Sequence, residues 1–185
     1  MKTLIFSLLL IIATSIGHAQ KITELEEAKV GFAPLDVEVT ENGDSFTYTV
    51  NEAYAGQFVK DPIAFMKANF DIKNFISAHE DRNYDSFNLT FKSGQGFLKA
   101  DFDKEGKLIR TFQKFQNIVL PLDVRRELYM ANKGWNMTEN RYIASGRGEL
   151  LEKELYKIKI ENGSRSKNIK LDPRSMGRTS VASKD

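Results

Sequence analysis

The sequence predicts an α+β fold in which helices pack on one face of an antiparallel sheet. Several runs alternate apolar and polar residues with the two-residue period of a strand, as from Tyr84 to Lys92 and from Leu155 to Glu161. Two segments that begin at Pro62 and Pro121 instead carry apolar residues at helical spacing. At 185 residues, the chain has the length of one ordinary globular domain, or of two small repeats that share a core.

The composition excludes several functional classes. Lys and Arg number 27 against 25 Asp and Glu, a net charge of +2, whereas a dedicated nucleic-acid binder normally carries a strong basic excess. The chain has no Cys, which excludes disulfides, thiolate zinc sites and Cys nucleophiles. We therefore expect no nucleic-acid partner, no cofactor and no metal site.

The first nineteen residues have the pattern of a signal peptide. Lys2 precedes an apolar run over residues 4–13, and the small residues Gly17 and Ala19 occupy the positions that a signal peptidase recognises. The predicted cleavage lies between Ala19 and Gln20. The apolar run is shorter than the roughly 20 residues that a membrane-spanning helix needs. We expect a periplasmic or secreted protein with no transmembrane segment in the mature chain.

The mature chain divides into four predicted parts. Residues 20–60 form an arm and a hairpin, because Asn42-Gly43 separates two alternating runs. Residues 61–118 and 119–172 follow as two units with the same order of parts, a helix and then three strands. In the first unit, Phe70 to Ser77 has extended character. Residues 173–185 contain few apolar side chains and predict a disordered tail.

The similar order of parts indicates a weak internal repeat, with coincidence between two generic units as the alternative. The resemblance to a known family rests on five segments: Gly106–Arg110, Lys114–Pro121, Lys133–Trp135, Tyr156–Ile158 and Glu161–Gly163. On these segments the chain resembles the PepSY-like secreted proteins of Bacteroidetes, which are similar in fold to the tandem-repeat β-lactamase-inhibitor proteins. The resemblance covers roughly Asp61 to Asp172. It implies export and helices packed on an antiparallel sheet, and by analogy it implies binding or inhibition, with no active site to carry over.

Two acidic motifs suggest metal binding at first sight. Asp101-Phe102-Asp103-Lys104-Glu105-Gly106 begins like a calcium loop, but Phe112 stands where the closing bidentate carboxylate should be. We interpret this segment as a hairpin turn and leave a weak cation site open. His79-Glu80-Asp81 consists of consecutive residues, which cannot all point at one centre in regular structure. We interpret it as a polar loop.

We expect a monomeric, non-catalytic module that binds a protein or a cell-envelope component through the open face of its sheet. The predicted contact residues project opposite the inferred core positions; they are Phe97, Lys99, Tyr142, Lys157 and Lys159. From Lys157 to the C-terminus, eight Lys or Arg stand against three Asp or Glu, a net charge of +5 that suits an acidic partner. A solvated strand face with a soluble tail is the alternative to that interpretation. The alternative function is a small periplasmic or secreted hydrolase using carboxylates such as Asp101 and Asp103.

The export hypothesis predicts the N-terminus of the mature protein. Mass spectrometry of the exported chain should find Gln20 as its first residue, because the peptidase removes everything through Ala19. A chain that still begins with Met1 after export would contradict the signal peptide.

Overall fold

The structure is a computed structural model, and it describes residues 40–176. The predicted signal peptide, its cleavage site between Ala19 and Gln20, and most of the N-terminal arm lie outside the described residues. So does the tail from residue 177 onward. The part of the tail that is described forms a turn, in which the backbone N–H of Arg174 donates to the Asp172 carboxylate at 2.9 Å. The disorder expected for residues 173–185 stays a prediction, since only residues 173–176 of that segment are described.

Eight strands form one sheet in which the spatial order equals the sequence order. The strands are β1 Thr40–Asn42, β2 Ser45–Thr49, β3 Ser86–Ser93, β4 Gly96–Asp103, β5 Leu108–Gln116, β6 Asn136–Arg147, β7 Leu150–Asn162 and β8 Arg165–Leu171. All neighbours are antiparallel except β2 and β3, which are parallel. The expectation of a fully antiparallel sheet was wrong at that one pair. The helical residues between β2 and β3 form a crossover that returns the chain to the same end of the sheet.

The described residues contain four α-helices: α1 Ala55–Lys60, α2 Pro62–Asn69, α3 Ile72–Ser77 and α4 Leu122–Ala131. Helix α2 begins as the sequence predicts, with Pro62 in its first turn and the Asp61 carboxylate accepting from the backbone N–H of Ala64 at 3.0 Å. Helix α4 begins directly after Pro121, and its buried residues Val124 and Leu128 are four positions apart, on one face.

Helix α3 corrects the prediction that Phe70 to Ser77 is extended. Extended backbone is confined to Phe70, with φ −129° and ψ 118°, and Asp71, with φ −91° and ψ 93°. Asp71 caps α3, because its carboxylate accepts from the backbone N–H groups of Lys73 and Asn74 at 3.1 Å each. Asp71 was not identified as a cap from the sequence.

All four helices lie on the same side of the sheet, as predicted. The registers align alternate buried residues of neighbouring strands on that side, such as Phe91 opposite Leu98 and Tyr142 opposite Tyr156. The first core lies under α1–α3 and contains fourteen buried residues, among them Phe58 and Phe91. The second core lies under α4 and contains Leu120, Val124, Leu128, Tyr156, Ile158 and Ile160.

The linker between β5 and α4 joins the two cores. Half-buried Ile118 packs against both of them. The carboxamide of Asn140, itself 3% exposed, accepts from the backbone N–H of Ile118 at 3.1 Å and donates to the Ile118 carbonyl at 2.9 Å. One side chain on β6 thus satisfies both polar groups of the linker residue that contacts both cores.

This pairing predicts that Asn140→Leu destabilises the protein by about 2–4 kcal/mol, because the substitution leaves the N–H and C=O of Ile118 without partners. Chemical denaturation measures the loss. Asn136→Leu is the matched control: Asn136 lies exposed on the same strand, and its substitution should change the unfolding free energy by less than about 0.5 kcal/mol. Equal effects of the two substitutions would show that the linker does not depend on Asn140.

Candidate functional site

The side of the sheet opposite the helices carries the residues that the sequence analysis proposed for partner binding. We call this side the open face. Its centre contains four apolar side chains on four successive strands, which we call the apolar strip: Phe97 on β4, Phe112 on β5, Ile143 on β6 and Leu155 on β7. Phe112 is 36% exposed, and its ring centroid lies 6.0 Å from that of Phe97.

Lysines alternate with the apolar strip in the strand register. Lys99 lies directly opposite Phe112, and Lys114 lies opposite both Phe97 and Ile143. The ammonium of Lys99 is 5.8 Å from the centre of the Phe97 ring, within cation–π range. Aliphatic lysine stems beside aromatic rings cover apolar surface while the charged ends stay in water.

The charge of this region is positive because several of its lysines are not neutralised. Arg110, Arg141 and Lys159 form ion pairs with Asp101, Glu139 and Glu161, at 3.8, 2.9 and 2.7 Å. Lys99, Lys114, Lys153 and Lys157 have no carboxylate within ion-pair distance among residues 40–176. These four lysines surround the apolar strip on β4, β5 and β7.

Four of the five predicted contact residues lie on the open face. Phe97, Lys99 and Lys157 lie there with the expected orientation. Lys159 is there too, but the hydrogen bond that it donates to Glu161 and the charge of that carboxylate raise the pKa of Lys159. Its charge is therefore already matched within the chain, which makes it a weaker candidate for contacting a partner than Lys157.

The fifth residue, Tyr142, was placed on the wrong side of the sheet. It is half-buried on the helix-covered side, where its ring lies 4.9 Å from that of Tyr156 and packs against both cores. The reason is a register shift in β6 between Met137 and Glu139, which reverses the phase of the alternation. The strand residues after the shift face inward at even positions, and Tyr142 is one of them.

Tyr142 borders a cavity of about 1260 Å³ between α1–α2 and the linker at residues 117–121, which we call the cleft. Its hydroxyl donates to the Glu154 carboxylate at 2.7 Å. Burial and this hydrogen bond raise the pKa of Tyr142. The same floor contains Gln113 and Tyr156, which the sequence analysis did not identify. Gln113 lies between Thr111 and Phe115 at an inward-facing position of a strand. A polar residue at an inward-facing position is the feature of the sequence that could have identified it.

The carboxylates of the hydrolase alternative have local structural partners. Asp101 pairs with Arg110, and Asp103 accepts from the backbone N–H of Lys107 at 2.8 Å in the β4–β5 turn. Neither carboxylate lines the cleft. The segment that resembles a calcium loop forms this hairpin turn, with Gly106 at φ 80°.

His79, the candidate in the other acidic motif, packs into the first core. Its ring lies 4.4 Å from that of Phe75, and its Nδ1 is 2.7 Å from the Phe75 carbonyl oxygen. Across residues 40–176, no three side chains of His, Asp or Glu come together in a way that could hold a metal ion.

Comparisons with known proteins found no match to a family model, to a curated protein or to a solved structure. In the described part of the chain, no helix has both the length and the apolar character to cross a membrane.

The buried tyrosines predict a loss of stability at alkaline pH. Burial, followed by the nearby charge of Glu154, raises the pKa of Tyr156 from 10.0 to about 12. Below pH 10 the hydroxyl is protonated in both states; between pH 10 and 12 it ionises first in the unfolded chain, so the folded state loses about 1 kcal/mol per pH unit.

Denaturation across pH 8–12 tests this expectation. Tyr156→Phe should lose less stability between pH 10 and 12 than the unmodified protein, and the exposed Tyr129→Phe should lose as much. If Tyr156→Phe and Tyr129→Phe follow the same pH curve, the Tyr156 hydroxyl is not held protonated by the fold.

Proposed function

We propose that the protein is exported to the cell envelope or beyond and acts there as a non-catalytic binding or inhibitory module. Its open face engages an acidic surface of a folded protein. The observation that supports this proposal is the alternation of the apolar strip with Lys99, Lys114, Lys153 and Lys157 across four adjacent strands.

The apolar strip provides the central part of such an interface. Protein interfaces combine a desolvated apolar or aromatic centre with a polar rim, and most of their binding energy comes from a few central anchors. Phe112 is the best-placed anchor, because it is 36% exposed and has Phe97 beside it. Strands hold both rings in register, so little conformational entropy is lost when a partner covers them.

The lysines supply the charge complementarity. Their ammonium groups have no ion-pair partners in the described chain, so a carboxylate-rich partner would gain these interactions without breaking existing pairs. An anionic polysaccharide or lipid surface would pair with the lysines but would not need a strip of apolar side chains held on adjacent strands. This difference favours a folded protein as the partner.

We further infer that residues 61–118 and 119–172 are two copies of a helix–three-strand unit. In support, α2 and α3 precede β3–β5, and α4 precedes β6–β8. An apolar core also lies beneath the helices of each unit, although the first core includes Phe46, Tyr48, Val50 and Phe58 from before residue 61. The resemblance to PepSY-like and β-lactamase-inhibitor-like proteins agrees with a binding role only by analogy of fold. We expect the module to be a monomer when unbound.

The test compares capture of envelope proteins by matched charge variants. The tagged exported chain is incubated with envelope extract, and retained proteins are identified by mass spectrometry. Lys99→Glu combined with Lys157→Glu should reduce retention of the partner at least about tenfold, as should Phe112→Asp. Lys73→Glu combined with Lys133→Glu makes the same charge change at exposed positions outside the sheet and should leave retention unchanged.

Chemical cross-linking of the retained complex should join the partner to Lys99, Lys114 or Lys157. A partner retained equally by both double variants would overturn the open face as the contact surface. Binding only to vesicles containing phosphatidylglycerol, or only to anionic polysaccharide, would overturn the protein partner. Turnover in a hydrolase panel that Asp101→Asn abolishes would replace the binding module with the enzyme.

A further inference from the structure

The cleft on the helix-covered side has the features of a second binding site. Its walls come from α1 and α2, from the linker at residues 117–121, and from the β6–β7 hairpin. At its rim, Lys67 on α2 forms an ion pair of 2.6 Å with Glu149 at the tip of that hairpin. At about 1260 Å³, the cleft exceeds the roughly 300–1,000 Å³ that is usual for drug-sized ligands, and therefore has room for an elongated molecule.

Two polar side chains on the floor of the cleft have no hydrogen-bond partner among the described residues. Gln113 is 2% exposed and Tyr156 is 6% exposed, and both line the cleft. Neither side chain hydrogen-bonds to another described residue, and neither has a polar atom sealed from solvent, so both remain available to a molecule in the cleft. Buried amides and hydroxyls are normally paired, because an unpaired polar group in apolar surroundings is costly.

The surroundings of these two groups select the kind of molecule that would pair with them. The walls are largely apolar, with Val59, Ile63, Leu120 and Leu151 among the lining residues. The carboxylate of Glu154 lies beside the floor, since it accepts the hydroxyl of Tyr142 at 2.7 Å and its charge also acts on Tyr156. A ligand carboxylate at the floor would meet this negative charge, whereas the two lysines of the lining, Lys60 and Lys67, lie on the helical walls, and Lys67 is already paired with Glu149. An uncharged head that both donates and accepts hydrogen bonds suits Gln113 and Tyr156.

We propose that the cleft binds an uncharged amphiphile whose polar head pairs with the Gln113 carboxamide and the Tyr156 hydroxyl, while its apolar body lies against the aliphatic walls. The site lies on the opposite side of the sheet from the open face. A ligand in the cleft would therefore not contact the surface proposed for the protein partner.

The neutral fluorophore N-phenyl-1-naphthylamine tests for the site with the exported chain. Its fluorescence should rise saturably on binding, because the cleft is apolar. Ala64→Trp should weaken binding at least about tenfold, since exposed Ala64 lines the cleft and an indole there occupies space that the ligand needs. Ala78→Trp is the matched control at the exposed residue directly after α3, outside the cleft, and should bind as the unmodified chain does. Ala68→Trp repeats the test if circular dichroism shows Ala64→Trp to be unfolded.

Competition with decanamide and decanoate tests the polar floor. Decanamide should displace the fluorophore at about tenfold lower concentration than decanoate, because only the amide matches Gln113 without bringing a charge near Glu154. Gln113→Met keeps the side-chain volume but removes the carboxamide, and should weaken decanamide about tenfold while changing decanoate less than about threefold.

Four results would overturn the proposal. Two concern the fluorophore: fluorescence that does not saturate, and equal binding by Ala64→Trp and Ala78→Trp. Two concern the competitors: displacement by decanoate at or below the concentration needed for decanamide, and an affinity for decanamide that Gln113→Met does not change. Displacement by a neutral capped peptide but not by decanamide would replace the amphiphile with a peptide ligand.

Discussion

The pairing of Asn140 with Ile118 is the constraint on which the arrangement of the two cores depends. After β5 the chain must leave the sheet, cross to the helical side and begin α4. Asn117 makes the turn with φ 52°, and its backbone N–H donates to the Asn140 carbonyl at 2.8 Å. The Asn140 carboxamide then satisfies both polar groups of Ile118. Because these groups are paired, Ile118 can pack against both cores, and the next residues form one wall of the cleft.

Strand β5 contributes residues to both candidate sites, because successive side chains of a strand face opposite sides of the sheet. Gln113 faces the cleft, whereas its neighbours Phe112 and Lys114 face the opposite side of the sheet. A shift of one residue in its pairing would bury the lysine and expose Phe115, which is 1% exposed. The burial of Phe115 against Phe58, with ring centroids 5.4 Å apart, therefore fixes the orientation of both sites.

Strand periodicity predicted most of the sheet and much of the open face, because Phe97, Lys99 and Lys157 lie in uninterrupted alternating runs. It failed where the period is interrupted. The register shift after Met137 is not visible as a change in composition, and Tyr142 was assigned to the wrong face for that reason. Extension from Phe70 to Ser77 was predicted from residue types, although Asp71 followed by Ile72, Phe75 and Ile76 has the spacing of a capped helix. The cleft depends on contacts between distant segments, such as Lys67 with Glu149, which local periodicity cannot supply.

The two buried carboxamides near the cleft show why its floor differs from ordinary core. Asn140 has its oxygen and its nitrogen paired with backbone groups, so its burial is offset by structure that it holds in place. Gln113 is buried to the same degree and holds nothing in place among the described residues. A leucine or methionine there would fill the same volume without an unpaired polar group. The Lys67–Glu149 pair does not alter this balance, since its side chains are 53% and 60% exposed and exposed ion pairs contribute little stability. A ligand that pairs with the carboxamide at position 113 would therefore add hydrogen bonds that the fold does not make by itself.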